Sequence, residues 1–275
     1  MTAVILAVDS LRKNWLRHKE LVLGLTRREL FSQFAGSGFG VGWALLHPLL
    51  QMFVYLLVFT FIFRVRWPDA GGGMDSYQAY ILSGMVSWML WASLLPGACT
   101  TVLYSASLVK QADFPAHVLP VRTLLVNLVP HGVSLAVLGL YILVSHGGLP
   151  WTVILLPLVV LLQATAMLGM TFILSALCVF ARDVKELITV FTSLGIFLTP
   201  VFYTPDMLAT LPPVVRWLMG LNPFTHFLYI YRDVLFWGEI RHPMSWWICA
   251  IVAPLLLVGG YRAFARLRLF FGNFL

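Results

Sequence analysis

Residues 27–63 read RRELFSQFAGSGFGVGWALLHPLLQMFVYLLVFTFIF, joining a basic, half-polar segment to a long apolar one. After Trp43 the polar side chains before Arg64 are His47, Gln51, Tyr55 and Thr60. About 20 residues suffice to cross a hydrocarbon core about 30 Å thick, so the spacing predicts a first membrane span over residues 41–63. Between the two parts lie Gly36, Gly38, Gly40 and Gly42, which remove the side-chain barrier to a sharp change of direction. The chain is expected to turn there from lying on the membrane to crossing it.

Composition extends that reading to the whole chain. Of 275 residues, 60% are hydrophobic and 11% charged, far below the roughly 25% charged of a soluble domain. Six apolar stretches with short connections predict one polytopic domain over 1–275, with no room for a soluble catalytic domain. The N-terminus lacks a basic segment ahead of its first apolar run, so no cleaved signal is expected. Cys99, Cys178 and Cys249 lie in apolar runs without CxxC or histidine spacing and read as small buried hydrophobes.

Residues 9–35 carry Arg12, Lys13, Arg17, Lys19, Arg27 and Arg28 among Trp15, Leu16, Val22, Leu23, Leu30, Phe31 and Phe34. That mixture suits a helix lying in the membrane interface. The second span is expected from Tyr77 to before Lys110, interrupted by Pro96-Gly97, the third over 123–145 and the fourth over 151–180. The fifth apolar run, Leu187 to Phe202, reaches only about 24 Å. Beyond it, prolines and Asn222 break residues 203–240 into pieces too short to span, which predicts re-entrant or interfacial helices before a last span over 246–269. Placing the N-terminus inside puts 13 of the 18 basic residues on the cytoplasmic side. It leaves Arg64, Arg66, Arg216, Arg232 and Arg241 in outer loops. The expectation is therefore six spans with both termini cytoplasmic. The net charge of +7 fits topology and anionic lipid, without nucleic acid.

Several chemistries are excluded by what is missing. Lys13, Lys19, Lys110 and Lys185 never follow a glycine, so no phosphate-cradling GxxxxGK[ST] loop exists and any ATP must be hydrolysed by a partner. All 11 acidic residues fall in the N-terminal segment or in connections, which weighs against an ion-coupled carrier. Integral-membrane glycosyl transfer and metal binding likewise lack a grouped set of ligands. The chain is expected not to be an enzyme and to hold no metal or cofactor.

The order Arg27-Arg28-Glu29-Leu30, glycine-rich turn, Gly42-Trp43, Pro48 and Val54-Tyr55 resembles the opening of the permease subunits of ATP-binding-cassette exporters for lipid-linked polysaccharides. Those proteins export O-antigen, teichoic acid or capsule. Further blocks agree in order: Leu82-Ser83-Gly84 with Trp88, Leu108-Val109-Lys110 with Phe114-Pro115, Phe180-Ala181-Arg182-Asp183, and Thr199-Pro200 through Tyr203 with Asn222-Pro223. Gln33-Phe34 depart from the Arg-Tyr often found there, which lowers the basic character of the segment.

The resemblance implies a bacterial inner-membrane homodimer that binds two ATP-binding subunits carrying ATP and magnesium. It would move a polyprenyl-linked glycan outward through a channel between its two copies. It places a coupling loop at 106–118, so Leu108, Lys110, Asp113, Phe114, Arg182 and Asp183 become candidates for contact with the ATP-binding subunit. Lys110 and Asp113 alone would suit a solvated turn, but the flanking Leu108, Val109 and Phe114 add an apolar anchor that favours docking; for Arg182-Asp183 a helix-end ion pair is the plainer reading. Extracytoplasmic gate elements would include Tyr203, Pro205, Trp217, Asn222 and Pro223. Channel candidates are Gln51, Tyr55 and Phe59, which share one helical face, together with Trp88 and Trp91, for which helix packing is an equal reading. The outer aromatic residues, among them Phe202, Phe227, Tyr231, Phe236, Trp237 and Trp246, are expected to form an interfacial belt. An exporter of drugs or small lipids, or a membrane enzyme or scaffold of envelope assembly, are the alternatives.

Overall fold

Apolar runs that cannot expose backbone to lipid must close their hydrogen bonds internally, and the chain does so with helices. The computed structural model describes residues 18–33, 35–40, 42–62, 77–111 and 114–275. Helix α1 covers residues 18–32, α2 Gly42–Leu57 with a π-helical continuation Val58–Ile62, α3 Tyr77–Thr100, α4 Ala106–Val109 and α5 Val118–His146. They are followed by α6 Leu156–Phe180, preceded by a 3₁₀ turn Trp151–Leu155, then α7 Val184–Leu198, α8 Pro205–Thr210 and α9 Pro213–Leu221. Helix α10, Pro223–Arg232, ends in a π-helical stretch Asp233–Trp237, and α11, Pro243–Leu267, leads to α12, Phe271–Phe274. No strand occurs among the described residues.

Among the described residues four helical segments are long and apolar enough to cross a membrane: Tyr77–Thr100, Val118–His146, Trp151–Phe180 and Pro243–Phe270. Their bounds refine the expected spans. Helix α5 begins at Val118 rather than at 123, because Val118, Leu119 and Pro120 are buried and continue the helix below the apolar run. The expected interfacial segment is described only from residue 18, so Arg12, Lys13 and Arg17 lie outside the described residues, as do Arg64, Arg66 and Asp113.

Helix α3 is the centre. In its apolar window 72% of residues are buried, against 22–28% in the other three long segments, so it is enclosed by protein while the others present a face outward. Pro96 does not end it; the helix runs through to Thr100. Helices α6 and α11 pack backbone to backbone. A Cβ on Gly169 would collide with the Leu256 carbonyl, and one on Gly260 with the Gly169 carbonyl. Small residues at such a crossing let dispersion act where lipid supplies no hydrophobic drive.

At one end of the molecule an apolar cluster of Val102, Leu119, Phe172, Phe264 and Phe271 gathers the ends of several helices. Helix α1 docks beside it. Val22 and Thr26 are buried, Glu29 lies 3.8 Å from Arg122, and the His18 and His117 rings meet edge to face at 5.6 Å. Burial, with smaller contributions from His18 and Arg268, pushes His117 down to about 4.

Two predictions follow from this packing. Gly260→Ala should lower thermal stability in detergent by at least about 1–3 kcal/mol, the usual cost of overpacking. Gly259→Ala, whose Cβ would meet nothing within 4 Å, should be close to neutral; equal effects would contradict the crossing. Because the folded state keeps His117 neutral down to about 4 while the unfolded chain protonates near 6.5, its contribution is present at pH 7 and is lost as pH falls through that window. Protection factors of the amides in residues 18–32, taken relative to intrinsic exchange at each pH, should therefore fall between pH 7 and 5, and His117→Phe should flatten the fall.

Candidate functional site

Helix α7 ends at Leu198, and the chain then runs without helix through Thr199–Thr204, with Thr199, Val201, Phe202 and Thr204 buried. Such backbone survives away from water only if its carbonyls find donors. Three side chains supply them in succession. Arg232 Nη2 donates to the Val201 carbonyl at 2.6 Å, the Tyr77 hydroxyl to the Phe202 carbonyl at 2.8 Å, and the Tyr80 hydroxyl to the Tyr203 carbonyl at 3.0 Å.

Arg232 is wholly buried. Its Nε donates to the Tyr80 carbonyl at 3.4 Å, and its guanidinium sits 3.6 Å from the centre of the Tyr80 ring, so a cation–π contact adds to the hydrogen bonds. A Cβ on Gly84 would stand 3.0 Å from Nη2, which explains the glycine of Leu82-Ser83-Gly84. The expectation that Arg232 belongs to an outer loop is thereby corrected: α10 carries it back into the protein, among α3 and the turn.

The neighbouring Asp233 ties the same segment to α11. Its carboxylate accepts from the Trp246 indole at 3.0 Å, from the His242 backbone at 3.1 Å and bonds His242 Nδ1 at 2.7 Å. The Thr152 hydroxyl donates to the Val234 carbonyl at 2.8 Å. The expected aromatic belt is corrected here as well. Phe202, Phe227, Tyr231, Phe236 and Trp237 are buried core residues, and Trp246 is bonded to Asp233, whereas Trp247 is exposed.

The short helices start where sequence chemistry starts them. Thr204 caps α8 by accepting from the Met207 backbone, with Pro205 at the first turn. Asn222 caps α10 by accepting from the Phe224 backbone at 3.1 Å and reaches Thr199 at 3.3 Å, with Pro223 at the first turn. Helix α9 has no buried residue, and Trp217 stands 65% exposed on it. Tyr203 is half-buried, and its hydroxyl donates to the Phe197 carbonyl at 3.2 Å. The five expected gate residues therefore lie on one continuous segment, on which Pro205, Trp217 and Pro223 are exposed and Tyr203 and Asn222 half-buried.

The five channel candidates separate into two groups. On α2, Tyr55 stacks on Phe202 at 5.6 Å, and Phe59 stacks on Phe202 at 4.6 Å and meets Tyr77 at 6.1 Å. Gln51 and Tyr55, with His47, Leu50 and Val54, line a shallow groove on the outside of the chain. Trp88 and Trp91 are instead in the interior, packed on Phe191, Phe224 and Phe227. Gly195 leaves room for the Trp88 ring, because a Cβ there would collide with it. Sequence reasoning missed Phe202 as the ring joining this row, and missed Arg232-Asp233. The available signal was a charged pair in the middle of the apolar run from Thr225 to Trp237.

At the end of the molecule where α4 lies, Lys110, Arg182 and Asp183 are exposed, and Leu108 is half-buried. Phe114 packs inward on the same apolar cluster that receives Val109 and Phe180, so one cluster supports both the 103–114 connection and the α6 end beside Arg182. A cavity of about 380 Å³ lies between the α1 end and helices α2, α3 and α5. No group of three side chains suited to a metal ion occurs among the described residues.

The model of the ABC-2 type transporter family matches residues 20–236. The O-antigen export system permease protein RfbA of Myxococcus xanthus is 31% identical over 253 residues, covering 92% of this chain and 94% of the relative. Its namesake in Klebsiella pneumoniae is 24% identical over 261 residues, covering 93% and 95%. The resemblance read from the sequence blocks is borne out, and the chain belongs to the ABC-2 type transporter family of membrane permeases.

Proposed function

We propose that this chain is the transmembrane subunit of an ATP-driven exporter that moves an O-antigen-type, lipid-linked polysaccharide outward across the bacterial inner membrane. The observation that carries the reading is the 31% identity to an O-antigen export permease over 92% of this chain and 94% of the relative. Permeases of this family work with an ATP-binding subunit, which fits a chain without a phosphate-cradling loop. In this reading six spans, α2, α3, α5, α6, α7 and α11, cross the membrane with both termini cytoplasmic.

A hydrated glycan needs a protein-enclosed conduit, and two copies of the chain form it. Support comes from the outward apolar faces of the two shortest spans. Phe53 and Val54 of α2 and Val190, Leu194 and Phe197 of α7 are all more than half exposed in the single chain. The row Gln51, Tyr55, Phe59 and Phe202 offers rings and an amide to passing sugars, a lining that binds weakly enough not to stall a polymer. Trp88 and Trp91 support it from behind. The segment from Tyr203 to Pro223 closes the outer end, with Trp217 as its exposed ring.

Coupling to the ATP-binding subunit falls to the exposed charges Lys110, Arg182 and Asp183. Leu108 and Phe114 hold their loop from within, and Asp113 adds charge between them. Lys110→Glu should preserve folding while lowering co-purification with the ATP-binding subunit about two- to fivefold, as expected for a charge at an interface rim. Unchanged assembly and unchanged export in Lys110→Glu combined with Arg182→Glu would remove this surface from coupling.

The conduit face is testable because the native Cys99, Cys178 and Cys249 are all buried. Single cysteines at positions 51 and 55 should react with a water-soluble thiol reagent in at least one nucleotide state of the assembled exporter. Labelling by lipid-soluble reagents alone would show that this face looks at lipid.

A further inference from the structure

In the cavity between the α1 end and helices α2, α3 and α5 the lining Ser93, Asn127 and Ser134 donate back to carbonyls of their own helices, but two prolines and a histidine leave polar groups that helix packing does not explain. Pro48 and Pro130 sit inside α2 and α5 and have no N–H to donate one turn back, so the carbonyls of Ala44 and Val126 lose their helical partners. All four residues line the cavity. His131, 4% exposed, lines it too. Its Nε2 bonds the Tyr231 hydroxyl at 3.0 Å, and its Nδ1 is buried with no partner among the described residues. An unmet buried polar atom costs about 1–3 kcal/mol, so His131 Nδ1, beside two carbonyls released by proline, calls for a ligand able to meet it.

The chemistry of that ligand is constrained. Gln51, Ser93 and Asn127 also line the cavity, and no lysine, arginine or carboxylate does among the described residues. A phosphate or an ammonium group would therefore be desolvated without a counter-charge. Proline-released carbonyls need donors, which a phosphate dianion lacks. His131 Nδ1 is a donor if Tyr231 donates to Nε2 and an acceptor if Tyr231 accepts; a hydroxyl satisfies either tautomer. Trp43 at the margin adds an aromatic face, and the volume of about 380 Å³ lies within the ~300–1,000 Å³ of small-ligand sites. His47 and Gln51 line both this cavity and the outer groove of α2, so the cavity opens beside the face assigned to the conduit.

We propose that this cavity binds one uncharged sugar ring of the exported glycan, with His131 Nδ1 as its buried anchor. The substrate class rests on the export reading above; the site itself is new to it. The ring is held at the side of the conduit, and the Tyr231 bond fixes the imidazole that receives it.

The test uses the full chain in lipid nanodiscs with ¹⁵N-labelled histidine, titrated with methyl glycosides of hexoses and 6-deoxyhexoses. Inorganic phosphate and glycerol phosphate form the anion arm. The glycosides should shift the His131 resonance saturably and the anions should not. His131→Phe should weaken glycoside binding at least about tenfold, the value of one buried hydrogen bond. Because that variant also breaks the Tyr231 bond, Ala92→Phe serves as the second: it fills the cavity without removing a polar group and should abolish the shift at unchanged protein yield. A shift produced equally by the anions would assign the cavity to a lipid headgroup and overturn the proposal, as would no shift by any probe, which would leave it to ordered water. Wild-type glycan export by Ala92→Phe would take the cavity off the export path while leaving the export reading intact.

Discussion

Three consecutive carbonyls, those of Val201, Phe202 and Tyr203, belong to no helix and are met by Arg232, Tyr77 and Tyr80. Each unmet carbonyl in a water-free setting would cost several kcal/mol, so the position of this turn dictates which side chains must surround it. The outer end of α3 has to lie beside the turn to bring Tyr77 and Tyr80. Helix α10 has to fold back into the protein to bring Arg232. Gly84 has to be without a side chain to admit the guanidinium. A buried arginine is costly alone; here a ring face and two carbonyls replace its water.

From that knot the functional surfaces follow in both directions. On one side, Asp233 fixes the start of α11 through His242 and Trp246, so the segment of short helices has a firm base, with α9 free of buried residues. On the other, Phe202 stands between the turn and α2, stacking with Tyr55 and Phe59. Helix α2 is thus in direct contact with the turn that leads into α8. Tyr231, next to Arg232, reaches His131 on α5, which joins the same knot to the cavity beside α1.

What could be read from the chain beforehand was whatever depends on neighbours in sequence. The apolar runs, the glycine-rich turn before Gly42, and the helix starts at Thr204-Pro205 and Asn222-Pro223 are local rules of propensity and capping. The shortness of the apolar run after Arg182 was legible for the same reason. Aromatic burial was not. In sequence Phe202 looks like a belt residue and Trp88 fits channel and packing equally, and only Tyr55 opposite the one and Gly195 opposite the other decide their surroundings. Arg232 was misplaced because charge counting treats every arginine outside a long apolar run as a loop residue, and its compensating carbonyls lie 31 and 152 positions away. The cavity depends on two prolines from different helices facing one space, a coincidence no local pattern encodes.

The central claim is that this chain passes a lipid-linked glycan through itself only when a separate subunit hydrolyses ATP. Liposomes containing the chain, its ATP-binding subunit and a labelled polyprenyl-linked glycan test it in one measurement, the fraction of glycan cleaved by an external glycosidase. In complexes whose ATP-binding subunit faces outward, added ATP should draw glycan into the lumen and lower that fraction, with no change when either subunit or ATP is omitted. Protection that proceeds at the same rate without the ATP-binding subunit, or none in a complex that hydrolyses ATP, would contradict the account.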